Sequence, residues 1–184
     1  MPAKPSQPHP PRALVVMDPI DEIKPVKDTT LAMLLAAQKR GWELWYAEQR
    51  DLWLRDGVAN GRVRPISVRN DLHDWFTLDT AHTRRLADFQ VILMRKDPPF
   101  DMEYIYTTYI LERAEEQGVL VANRPQGLRD MNEKVFTAWF PQCCAPTLIT
   151  RDMADMHAFL REHQRIVCKP LYGMGLYGDR KSVV

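Results

Sequence analysis

The sequence predicts an α/β fold of the doubly wound class, a parallel sheet with helices packed on its faces. Three observations predict it. Short apolar runs rich in β-branched residues alternate with helical segments such as 102–118, which is the pattern of parallel strands joined by crossover helices. Three of those runs stop in polar residues beside proline: Met17 before Asp18-Pro19, Met94 before Arg95-Lys96-Asp97-Pro98-Pro99, and Ala122 before Asn123-Arg124-Pro125. Ligands of such sheets collect outside the carboxyl ends of the strands, so these three ends define one expected crest. Finally, 184 residues with 45% hydrophobic content allow one domain with a sizeable core and part of a second.

Each element follows from local chemistry. Residues 1–11 hold five prolines and are expected to be a disordered lead-in, because proline removes backbone donors and forbids helix. Arg12–Met17 is a buried first strand. Asp28-Thr29-Thr30 offers an N-cap, an apolar helix runs from Leu31, and Gly41 stands just past its basic last turn. Trp42–Ala47 reads as a second strand. Asp51–Leu54 and Val58–Val68, joined at Asp56-Gly57, read as a hairpin or short meander. Residues 69–86 are polar and unordered by this reading, with Trp75-Phe76 expected to tack them to the core. Phe89–Met94 is a buried strand. Met102–Gly118 is a helix with an apolar stripe at Ile105, Tyr109 or Ile110, and Ala114. Val119–Ala122 is the next strand. Two short helices are expected around Gln126–Asp130 and Asn132–Trp139, then a strand at Pro146–Thr150, a helix at Met153–His163 and a strand at Ile166–Lys169.

Composition narrows the function. Lys+Arg number 25 and Asp+Glu 24, so no basic excess exists to neutralise a nucleic-acid backbone, and no nucleic acid is expected as partner. No apolar run approaches the ~20 residues that span a bilayer, and the first residues lack a signal-peptide core, so a cytoplasmic protein with no membrane partner is expected. The three cysteines, Cys143, Cys144 and Cys168, have no zinc spacing and are expected to be reduced thiols. Five histidines and three serines form no hydrolytic or zinc arrangement.

The chemistry-bearing residues are few. Arg95 stands at the crest, where a planar guanidinium can fork onto a carboxylate. It either holds a small acidic ligand or pairs with Asp97 or another acid to tie the loop. Pro98-Pro99 fixes the backbone after it. Asp18 either orients Arg95 or Lys96, or caps the next segment. Lys134, just after Asn132 opens a helix, is by itself an ordinary solvated lysine. Lys169 is different, because it follows Ile166-Val167-Cys168 and precedes Pro170, so its ammonium is expected to be only partly hydrated and to need a partner. That strand leads into Gly173 and Gly175, glycines that either make simple turns or let backbone amides cradle an anion. A lysine ~4 Å from a phosphate charge gains roughly 4 kcal/mol at an effective dielectric near 20, against roughly 1 in water.

The residues resemble a known family, the bacterial type of glutathione synthetase within the ATP-grasp ligases. The segments that carry the resemblance are VVMDPI, LAMLLAAQKRGWEL, VILMRKDPPFDMEYIYTTYILERAEEQG, NRPQGLRDMNEKVFTAWF and CKPLYGMG, from Arg12 to Gly175. The resemblance implies a pre-ATP-grasp substrate domain over 12–130 and the truncated start of an ATP-grasp domain over 131–178. It implies ATP-dependent joining of γ-glutamylcysteine to glycine through an acyl phosphate, with Mg²⁺ whose ligands are expected downstream of this chain. By position Lys134 and Lys169 resemble lysines that contact ATP phosphates, Arg95 a contact to the acidic substrate, and Gly173 and Gly175 the start of a phosphate loop. Asp18, Asp97 and Asn132 are expected to support them. A homotetramer is the implied assembly of a full-length member.

The end departs from the family. After Gly175 the chain reads LYGDRKSVV, where members continue with another glycine and small residues before an apolar strand. Residues 179–184 are therefore expected to be a non-native tail on a longer protein cut short, and the 184-residue chain is expected to be inactive. Two rival readings are a different ATP-grasp carboxylate–amine ligase, since fold and lysine pair do not name the acid, and a non-catalytic doubly wound module that binds a small ligand.

Overall fold

A computed structural model of the protein describes residues 10–171 and 182–183. Its main sheet is built on four parallel neighbours. Strand β1 (Arg12–Val16) pairs with β2 (Glu43–Ala47) on one side and with a later strand, Val91–Met94, on the other. Between them in sequence come β3 (Leu52–Arg55), β4 (Val58–Val68), β5 (Phe76–Leu78) and β6 (His82–Arg85). The strand at Val91–Met94 is thus β7, and it pairs in parallel with β8 (Leu120–Ala122).

Period-two alternation sorts the core residues of β1 onto two faces. Leu14 and Val16 pack with Trp45, Ala47, Ile92, Met94 and Val121 under helix α2 (Met102–Glu116). Ala13, Val15 and Met17 pack with Leu44 and Tyr46 under helix α1 (Thr29–Lys39). One crossover helix covers each face, which is the doubly wound arrangement expected. The Asp28 cap is as expected, its carboxylate accepting the Leu31 N–H at 2.7 Å, and the Asp101 carboxylate likewise accepts that of Tyr104 at 2.9 Å, a cap not foreseen.

The sheet is mixed beyond this parallel core. The eleven-residue β4 runs antiparallel and pairs along successive stretches with β3, β6, β2 and β5. The turn at Asp56-Gly57 has φ of 50° and 75°, the left-handed geometry that closes a two-residue hairpin. The 69–86 stretch therefore carries two strands that polarity concealed, and Trp75 and Phe76 do pack onto the α1-side core.

Three expectations are corrected. The buried stripe of α2 is Tyr104, Thr107, Thr108, Leu111 and Ala114, rotated from the one expected, and Tyr109 is 48% exposed. Two threonines replace apolar residues there because each hydroxyl can bond back to its own helix, Thr107 to Glu103 O and Thr108 to Ile105 O. Residues 132–139 form a turn and one 3-10 turn (Phe136–Trp139) in place of a helix, after the short helix α3 (Pro125–Asp130). Pro146–Thr150 forms no strand; it opens on a proline, follows Pro141 and has no pairing neighbour among the described residues, and its apolar side chains line a groove instead. Helix α4 (Met153–His163) and strand β9 (Val167–Cys168) follow, and β9 pairs antiparallel with β10 (Ser182–Val183).

Candidate functional site

Because β1, β7 and β8 are parallel neighbours, their carboxyl ends meet at one edge, as the three proline-flanked termini foretold. Arg95 continues β7 by one residue: its backbone N–H donates to Val16 O at 2.7 Å. This carries the guanidinium across the amino end of α1, where Nε donates to the Thr30 hydroxyl at 3.1 Å and Nη2 to the Thr29 hydroxyl at 2.9 Å. Two neutral acceptors thus hold one edge of the fork. Arg95 makes no ion pair within 4 Å among the described residues, so pairing with Asp97, the alternative left open by the sequence, is not what holds it.

Asp18 serves the neighbouring residues. Its carboxylate takes the Lys96 ammonium at 2.7 Å and the Asp97 backbone N–H at 2.8 Å, fixing the turn after Arg95. Lys96 also donates to Asp97 O. The Asp97 side chain is exposed on the rim. Tyr46, at the end of β2, donates from its hydroxyl toward Glu48 at 3.1 Å and the Asp18 carbonyl at 3.4 Å. Burial first, then the adjacent Glu48 carboxylate, hold its phenol well above the ordinary range. Around Arg95 lies an open groove of about 540 Å³, walled by Asp18, Glu22, Lys24, Lys27, Thr29, Thr30 and Asp97. Lys24, Lys27 and the threonine pair were not foreseen as wall residues. Thr29 and Thr30 read only as capping residues, since their partner lies 65 residues away.

The second group lies after α3. Asn132 caps a turn, its side-chain oxygen accepting the Lys134 and Val135 N–H groups at 3.0 Å each. The Lys134 ammonium donates to Pro170 O at 2.7 Å, which brings it to the residue after Lys169. The expectation of a half-buried Lys169 with an acidic partner is corrected. Its side chain is exposed and makes no ion pair among the described residues, where β9 is two residues long and pairs with β10 alone. Lys169 stands on the wall of an apolar groove of about 530 Å³ formed by Leu148, Ile149, Met156, Phe159 and Ile166. Gly173 and Gly175 lie outside the described residues.

The fold has a counterpart among solved structures. A solved structure, ATP-grasp ligase PsnB complexed with minimal precursor, superposes with a TM-score of 0.50 at 15% identity, covering 91% of this chain and 55% of that one. That likeness concerns the fold. The family is set by sequence: residues 12–129 match the prokaryotic glutathione synthetase N-terminal domain and residues 133–179 the prokaryotic glutathione synthetase ATP-grasp domain, and the chain belongs to this family. Glutathione synthetases of Shewanella oneidensis and Pseudomonas aeruginosa are each 55% identical over 161 residues, which is 88% of this chain and 51% of the relative. That of Yersinia pestis is 54% identical over the same length. The chain spans about half the length of these curated relatives.

Proposed function

We propose that the complete protein carrying this chain is an ATP-dependent glutathione synthase. The support is the 55% identity to glutathione synthetases together with matches to both family domains in their proper order. In the reaction, the γ-phosphoryl group of ATP passes to the cysteine carboxylate of γ-glutamylcysteine, leaving ADP and an acyl phosphate. The glycine amine then attacks the acyl carbon and expels phosphate.

Residues 12–130 act as the substrate domain and 131–178 as the start of the ATP-grasp domain. Arg95 binds a carboxylate of the acidic substrate with the guanidinium edge that Thr29 and Thr30 leave open. Lys134 and Lys169 spread the charge of the ATP phosphates, and Gly173 and Gly175 open the backbone for close approach. Asp18, Asp97 and Asn132 shape the two loops. Family membership implies a divalent metal, Mg²⁺, which would neutralise charge on the phosphates. Among the described residues no three His, Cys, Asp or Glu side chains gather as donors, so this part of the protein does not fit that ion. A cytoplasmic homotetramer is the assembly that accompanies this reading.

Calorimetric titration of the complete protein with ATP tests the phosphate role. Lys134→Ala and Lys169→Ala are each expected to weaken ATP at least tenfold. Unchanged affinity in both would overturn it.

A further inference from the structure

Arg129, near the end of α3, is held from several directions. Its Nη2 donates to both Glu112 oxygens at 2.8 and 2.9 Å, its Nη1 donates to the Thr108 hydroxyl at 3.0 Å, and the guanidinium lies 4.5 Å from the centre of the Tyr109 ring. The ion pair is largely covered, with Arg129 16% and Glu112 29% exposed, and Thr108 is fully buried. All three partners belong to α2, which is itself anchored to the sheet through Leu111 and Ala114. An exposed pair of this kind would count for little, but a forked, covered one fixes geometry.

What it fixes lies just beyond. Lys134 stands five positions beyond Arg129, and after Asp130, the last residue of α3, residues 131–133 belong to no helix or strand, with the Asn132 side chain holding the Lys134 and Val135 amides. A free tether of that length would spread over roughly 12 Å. We infer that Arg129 is a positioning residue: by locking α3 onto α2 it sets where the Asn132 turn, and with it the Lys134 ammonium, stands relative to the substrate domain. The consequence for ATP rests on the ligase reading above; the mechanical part does not.

Two measurements separate these. In the 184-residue chain, Arg129→Met is expected to speed hydrogen exchange at the Lys134 and Val135 amides at least tenfold while β1 and β7 amides keep their protection. In the complete protein the same change is expected to raise KM for ATP at least fivefold and to leave KM for γ-glutamylcysteine within twofold. Arg129→Lys, which keeps the charge and loses the fork, should fall between, and it carries both measurements should Arg129→Met not fold. Unchanged exchange at 134 and 135, or a parallel rise of both KM values, overturns the inference. A wild-type complete protein that makes no glutathione would instead sink the ligase reading, with the exchange result still deciding the positioning role.

Discussion

Replacing Arg95 by methionine removes the fork and keeps most of the side-chain volume. The side chain is half-buried, and its Nε and one Nη2 hydrogen are committed to Thr30 and Thr29, leaving the Nη1 edge for a carboxylate. A hydrogen bond to a charged group contributes about 1.5–3 kcal/mol. For a partly solvated pair of such bonds, a combined loss of about 2–3 kcal/mol is reasonable, or roughly 30- to 150-fold in affinity at ~1.4 kcal/mol per decade. Calorimetric titration of the complete protein with γ-glutamylcysteine should show that loss, with ATP affinity within twofold of wild type. Thr30→Val keeps the arginine and removes one of its two anchors, so about 0.5–1.5 kcal/mol, roughly 2- to 10-fold, is expected. An Arg95→Met protein that binds γ-glutamylcysteine within twofold of wild type would refute the reasoning, since among the described residues no other arginine lines that groove.

Other outcomes follow from the same structure. Leu14 is fully buried between β1 and α2, and Leu14→Ala should lower unfolding free energy by about 3 kcal/mol in urea titration; a loss under ~1 would contradict the packing. Tyr46 has a folded pKa above its unfolded value of about 10, so its contribution is intact below pH ~10 and is lost as pH rises beyond it. Urea midpoints at pH 9 and 11 should therefore fall more steeply for wild type than for Tyr46→Phe; equal slopes would count against it. Gly57→Ala, at φ 75°, should cost about 1 kcal/mol, whereas Gly127→Ala in α3, where an added Cβ meets nothing within 4 Å, should stabilise by about 0.4–1 kcal/mol; thermal melts that reverse that order would contradict both assignments.

The parallel core was legible because each of its strands is a short apolar run ended by proline or a polar cluster, and because the Asp28-Thr29-Thr30 cap announces α1 chemically and Gly118 ends α2. In the antiparallel part the Val58–Val68 run and its Asp56-Gly57 turn were legible, but the partners of that run beyond the hairpin were not. β4 is interrupted in sequence by Asn60, Gly61, Arg62, Arg64 and Pro65, yet it forms the longest strand, because its two edges are satisfied piecemeal by four partners. Gly61 fits there since an added Cβ would press on Leu52, Val63 and Leu86 at 3.1–3.2 Å, a packing fact no local pattern conveys. The crest could be located from strand ends, and Arg95 with it. Its threonine anchors and the Glu112 to Arg129 fork could not, because both link residues distant in sequence through side chains whose local roles look complete. Lys169 failed in the opposite way. Its strand neighbours are apolar, but burial needs covering strands, and among the described residues β9 has one two-residue partner.

The measurement that bears most directly on the account is product analysis of the complete protein supplied with γ-glutamylcysteine, glycine and Mg-ATP. It should yield glutathione, ADP and phosphate in equal amounts, with no turnover when either amino substrate is withheld. ATP consumption indifferent to glycine, or a ligated product other than glutathione, would contradict it.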